Sequence, residues 1–175
     1  KERRSVRKYK DEKVDRETMR EIVDIARWAP SWVNYQIARY TLVDDEEIIK
    51  EIAEHGVNGF VYNIDTLRTA KGVAVLSFVK GKSGTYDKEY ITSKGNSWEV
   101  FDAGIACQTF CLAAHAKGVG TCIMGVIDDK SIAKIVNLPE DETVAALIVY
   151  GYEDGEHAAP NKRKDVDEIM RFVDR

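Results

Sequence analysis

Gly72–Val79 reads GVAVLSFV, an apolar β-rich run broken only by Ser77. A strand with one face in water alternates apolar and polar residues, whereas a strand covered on both faces reads as a near-continuous apolar run. This stretch therefore predicts a strand in the middle of a sheet that is packed above and below. Thr143–Tyr150, TVAALIVY, predicts a second strand of the same kind. Between them, Trp98–Lys117 is the longest helical candidate. Its small residues Ala103, Gly104, Ala106, Ala113, Ala114 and Ala116 permit close packing, and Gly118 ends it.

Asp15 stands before an apolar stripe (Ile22, Val23, Ile25, Ala26, Ala29) that Pro30 stops, which predicts a capped helix. Arg39–Val43 predicts a short strand. Asp44 to Glu47 place acids at the start of a helix running to about His55, with Gly56 and Gly59 breaking it. Lys80–Ser97 is polar and reads as a long loop of the kind that often covers a site. A strand over Val119–Met124, a helix over Asp129–Val136 capped by Asp128, and a short helix over Asp165–Phe172 complete the chain. Helices and strands mix without strict alternation, repeats or a linker, which predicts one α+β sandwich domain spanning 1–175 around a central sheet.

The 175 residues are 44% hydrophobic, enough for one core. No apolar run is long enough to span a membrane and no apolar segment follows the charged N-terminus, so the expectation is a cytoplasmic protein with no membrane partner. Three cysteines without CxxC spacing argue against a disulfide framework. Lys1–Lys10 holds six basic residues and one acidic one, leaving −9 on the rest of a chain whose net charge is −4. A basic arm thus sits on an acidic body, and a smaller basic knot, Lys162-Arg163-Lys164, lies near the other end. The acidic body, with no basic stripe beyond the arm, argues against nucleic acid as a ligand.

In Arg3-Arg4-Ser5-Val6-Arg7 an extended backbone points residues 3, 5 and 7 the same way, giving guanidinium forks and a hydroxyl suited to phosphate. A merely solvated basic arm is the plainer reading. After the first helix, Ala29-Pro30-Ser31-Trp32-Val33-Asn34-Tyr35-Gln36 sets small polar side chains beside aromatics in a loop. Such a loop can bond a planar polar ligand, or its aromatics can simply fill core. Gly118-Val119-Gly120 lacks the third glycine of a dinucleotide fingerprint, and no P-loop is present. Cys107, Cys111 and His115 share one helical stripe, which reads as packing rather than a metal site.

Taken together, RRSVR, APSWVNYQ, the helix ending AHAKGVGTCIMG, NLPEDETVAALIVYGY and NKRKD, in that order over nearly the whole chain, resemble the nitroreductase-like FMN flavoproteins. The resemblance implies a three-layer α/β/α sandwich with a central, mostly antiparallel sheet, in an interleaved homodimer with FMN at the subunit interface. It places Arg3, Ser5 and Arg7 on the FMN phosphate, ribityl and pyrimidine side, with Arg4 inside the motif contributing through its backbone. Arg163, and more weakly Lys162, would return to the same phosphate.

Ser31, Trp32, Asn34 and Gln36 match a loop that reaches the partner subunit's flavin. Cys122, Ile123, Met124 and Gly125 match the segment whose backbone lies against the ring, and Asn63 a polar residue at the pyrimidine end. Two departures stand out. Gln36 is followed by Ile37-Ala38-Arg39 where the family commonly has Pro-Trp, and Met124 replaces an acidic residue of some members. The implied activity is electron transfer from NADH or NADPH through flavin N5 to a nitroaromatic, a quinone or a similar small acceptor. Since the cofactor carries the chemistry, no catalytic side chain is named. A non-turnover FMN-binding redox sensor and a reductive dehalogenase-type flavoprotein are the alternatives on this scaffold.

Overall fold

A computed structural model describes residues 1–155 and 159–173. The elements run α1 (Arg16–Ala26), β1 (Ala38–Val43), α2 (Glu46–His55), α3 (Val61–Thr69), β2 (Gly72–Val79), β3 (Thr85–Tyr86), β4 (Glu89–Tyr90), α4 (Ser97–Ala116), β5 (Gly120–Met124), α5 (Asp129–Ile135), β6 (Glu142–Gly151) and α6 (Val166–Ile169). The main sheet has the order β1-β2-β6-β5, with every neighbouring pair antiparallel.

The two apolar strands are its centre, and their lack of alternation has the expected cause. On β2, Ala74, Leu76 and Phe78 face a core completed by Met19 and Ile22 of α1 and by Phe110 and Ala114 of α4. Val73 and Val75 face a second core with Ile52 of α2, Leu67 of α3 and Ile132 of α5. Each face of the strand thus meets a helical layer, and the three-layer α+β sandwich follows. Between Leu76 and Ser77 the register with β6 slips, so Ala146 pairs with Leu76 and Val144 with Ser77.

Local chemistry sets the helix starts. Asp15 accepts from the Thr18 amide at 2.8 Å, Asp45 from those of Glu47 and Ile48, and Asp128 from that of Ser131 at 2.9 Å. Each carboxylate satisfies a first-turn donor that the helix itself leaves unpaired. Three elements differ from expectation. Helix α3 was not foreseen, because Phe60 at its start supplies no side-chain cap and its amphipathicity is weak. The Lys80–Ser97 stretch contains the β3–β4 hairpin and buries Ser83 and Thr85. The last helix is only Val166–Ile169, with Glu168 closing a capping box on Asp165.

The N-terminal arm docks along the outer edge of the sheet. Val6 donates its amide to the Thr121 carbonyl at 2.9 Å, and Ser5 bridges Thr121 in parallel orientation. Further along, Tyr9 bridges Glu153 and donates its hydroxyl to the Val6 carbonyl at 2.6 Å. Two glycines make room: a Cβ on Gly120 would lie 2.7 Å from Val6 Cγ2, and one on Gly151 would lie 2.8 Å from Tyr9 Cδ1. The Gly151→Ala variant is therefore expected to push the Tyr9 ring off the sheet, at a cost of about 1–3 kcal/mol. Thermal unfolding should show a midpoint lower by several degrees.

Candidate functional site

The docked arm delivers its three arginines to one place. Arg3, Arg4, Ser5 and Arg7 line a cavity of about 170 Å³ whose other wall is Ala159, Pro160, Asn161 and Arg163. Residues from the two ends of the chain thus surround one space with guanidinium and hydroxyl donors, and no carboxylate is among the described lining residues. Arg163 is exposed and braced by donation from Nη1 to the Asn161 carbonyl at 2.9 Å. Arg4 curls its Nη1 onto the carbonyls of Glu2 and Arg3, both at 3.0 Å, and keeps a buried Nε without a partner. Lys162 is exposed and is not among the residues lining the cavity.

Strand β5 runs beside this cradle. Burial pushes the Cys122 thiol above its usual pKa, and the positive charges of Arg7 and Arg3 partly oppose that shift, so both guanidiniums lie within electrostatic reach of the strand. Thr121 turns its carbonyl outward to Val6, and strand alternation then turns the backbone of Ile123 the same way. The sheet ends at β5, so beyond the arm this edge offers backbone donors and acceptors to a ligand. Met124 is buried in the core, while the Ile123 side chain is half-exposed. Gly125 follows the strand, and Asn63 on α3 is buried and donates to the Val126 carbonyl at 3.0 Å, tying α3 to this turn.

The Ser31–Gln36 loop lies elsewhere. Ser31 and Gln36 line a different cavity, with Pro30, Tyr40 and Asp102. The Ser31 hydroxyl accepts from the Gln36 amide at 2.8 Å, the Trp32 amide donates to Asp102 at 2.9 Å, and the Trp32 indole donates to the Thr85 carbonyl at 3.2 Å. Asn34 is exposed. Val33, Asn34 and Gln36 all adopt positive φ, at 47°, 57° and 50°. Asn tolerates that region, but a β-branched valine there is strained.

One chain therefore brings together residues 3–7, 163 and β5, and leaves 31–36 apart. Sequence reasoning overlooked Glu99 and Asp102, both buried on α4. The available signal was two acids one turn apart in an otherwise apolar helix.

The nitroreductase family model matches residues 1–152. The chain belongs to the nitroreductase family. Among solved structures of that family, an FMN-dependent nitroreductase from Clostridium difficile superposes with a TM-score of 0.78 at 28% identity, covering 98% of this chain and 95% of its own. The FMN reductase [NAD(P)H] of Bacillus subtilis is 31% identical over 85% of this chain and 62% of its own length. The iodotyrosine deiodinase of Thermotoga neapolitana is 26% identical over 88% and 86%. Nitroreductase relatives thus span reductases and a deiodinase.

Because Val33 is exposed and packs on little, Val33→Asn should relieve its backbone strain without loss of core. We expect a gain of about 1 kcal/mol, read as a rise of a few degrees in the unfolding midpoint.

Proposed function

We propose that this protein is an FMN-dependent oxidoreductase that takes electrons from NADH or NADPH and passes them to an electron-poor small molecule such as a nitroaromatic or a quinone. The observation that carries the reading is the cavity shared by Arg3, Arg4, Ser5, Arg7 and Arg163. Its donor set suits a dianionic phosphate: planar guanidinium forks and a hydroxyl, with Arg4, whose buried Nε has no partner, among the lining residues. The neighbouring nitroreductase likenesses, one FMN-dependent and one an FMN reductase, support the same choice of group.

When bound, FMN supplies a two-electron relay between nicotinamide and acceptor. The chain's own contribution is to hold and orient it. Arg3, Ser5, Arg7 and Arg163 would hold the phosphate end, with Arg4 bracing the arm through the carbonyls it binds. The backbone of Cys122, Ile123, Met124 and Gly125 would offer an edge to its ring, and Asn63 keeps the following turn in place. No side chain is assigned proton transfer.

The site is completed by a second copy of the chain, in this reading. The Ser31–Gln36 loop, with Trp32, Asn34 and Gln36, lies away from the phosphate cradle of its own chain, as it would if it served the partner's flavin. Helix α4 is apolar on both sides: beyond its buried face it exposes Val100, Phe101 and Leu112. The C-terminal segment likewise exposes Val166, Ile169 and Phe172. Apolar surface on this scale fits an interleaved homodimer interface.

Reductive dehalogenation is the second reading, favoured by the deiodinase relative. It differs in acceptor, and iodide release from 3-iodotyrosine would identify it.

The test is an absorbance spectrum of the purified protein before and after anaerobic NADH or NADPH, followed by a nitroaromatic. Flavin bands should bleach with nicotinamide and return with the acceptor; bound flavin that neither nucleotide bleaches would instead indicate a holding or sensing protein. Arg163→Ala should weaken FMN retention by about tenfold or more, read by fluorescence titration of the apoprotein. Acceptor preference should change less than retention.

A further inference from the structure

Two buried carboxylates have no part in the proposed electron transfer. Glu99 and Asp102 lie one turn apart on α4, each only 4% exposed, and neither makes an ion pair among the described residues. A buried acid without a cation must be satisfied by hydrogen-bond donors. Every donor recorded for these two comes from one of two segments. Glu99 Oε1 accepts from the amides of Gly81 at 2.6 Å and Lys82 at 3.3 Å and from the Tyr90 hydroxyl at 3.2 Å. Asp102 Oδ2 accepts from the Ser83 hydroxyl at 2.6 Å and from the Trp32 amide at 2.9 Å.

Asp102 is thus the point at which the Ser31–Gln36 loop and the 80–97 excursion meet. Two further contacts close the same joint. The Trp32 indole donates to the Thr85 carbonyl at 3.2 Å, and the Trp32 and Trp98 rings pack at 4.9 Å. Ser83 and Thr85, on the excursion, are buried. A segment that has few buried contacts opens independently, but one tied by buried charge-assisted bonds opens with its anchor.

We propose that Asp102 is a positioning residue that joins the Ser31–Gln36 loop and the 80–97 excursion into one preformed cover, with Glu99 pinning the excursion beside it. This rests on the reading that the Ser31–Gln36 loop borders a flavin site. Acceptors are then sized by a fixed aperture, not by a lid that orders on binding, and a change in the excursion is felt at Trp32.

Amide hydrogen exchange, followed peptide by peptide on the purified protein, tests the joint. Ser83→Ala removes one donor without touching the Ser31–Gln36 loop. It should nevertheless raise exchange about tenfold in residues 31–36 as well as in 80–97. Asp102→Asn, nearly isosteric, removes the charge at the joint and should raise exchange in the same two segments together. Faster exchange confined to 80–97 in the serine variant would overturn the proposal.

A second readout uses turnover: in Ser83→Ala the ratio of KM for a bulky quinone to KM for a small one should shift by about threefold or more. An unchanged ratio overturns the fixed aperture. If the protein takes up no flavin, the functional reading fails while the exchange experiment still decides the joint.

Discussion

The candidate site depends on the docking of the first ten residues against the outer edge of the sheet. Backbone bonds from Val6 to Thr121, from Lys10 to Tyr152 and from Asp154 to Lys8, the Tyr9 ring packed on Gly151 and the Tyr9 hydroxyl on the Val6 carbonyl hold an arm that would otherwise be a charged tail. Burial raises the pKa of the Tyr9 phenol, so it stays protonated and remains a donor across the physiological range. Six basic residues in a decapeptide repel one another and prefer water. Fixing them beside β5 costs free energy that the apolar contacts of Val6 and Tyr9 offset, and an anion binding at the cradle would relieve the remaining repulsion.

The sandwich supplies the rigid backing for this edge. Strands β2 and β6 are buried on both faces, so their position is set by two cores at once, and β5 inherits its place from its pairing with β6. Helix α4 serves two environments. One side closes the core with Phe110, Cys111 and Ala114, and another carries exposed apolar residues. Its two acids hold the loops above it. Cys107 and Cys111 belong to the core, whereas His115 is exposed.

Features with a local cause were legible in the sequence. The uninterrupted apolar runs at 72–79 and 143–150, the aspartate caps at 15 and 128 and the glycine after α4 each act within a few residues, and each marked an element close to where it occurs. Helix α3 escaped because its start lacks a side-chain cap. Its spacing of Val61, Ile64 and Leu67 was the faint signal present. The β3–β4 hairpin escaped because two-residue strands carry no readable alternation.

By itself, then, the sequence determined a doubly covered sheet, the order of its helices other than α3, a basic arm and, through motifs in fixed order, a family resemblance. Only the tertiary structure decided that Arg3 to Arg7 and Arg163 share a cavity, that Ser31 to Gln36 lie apart from it, and that Glu99 and Asp102 hold two loops together. The physical reason is the range of the interactions. Caps and periodicities are short-range along the chain and leave a pattern in neighbouring residues. A cradle closed from both ends, or a carboxylate whose donors come from distant segments, exists only after the core has folded and brought them within hydrogen-bonding distance.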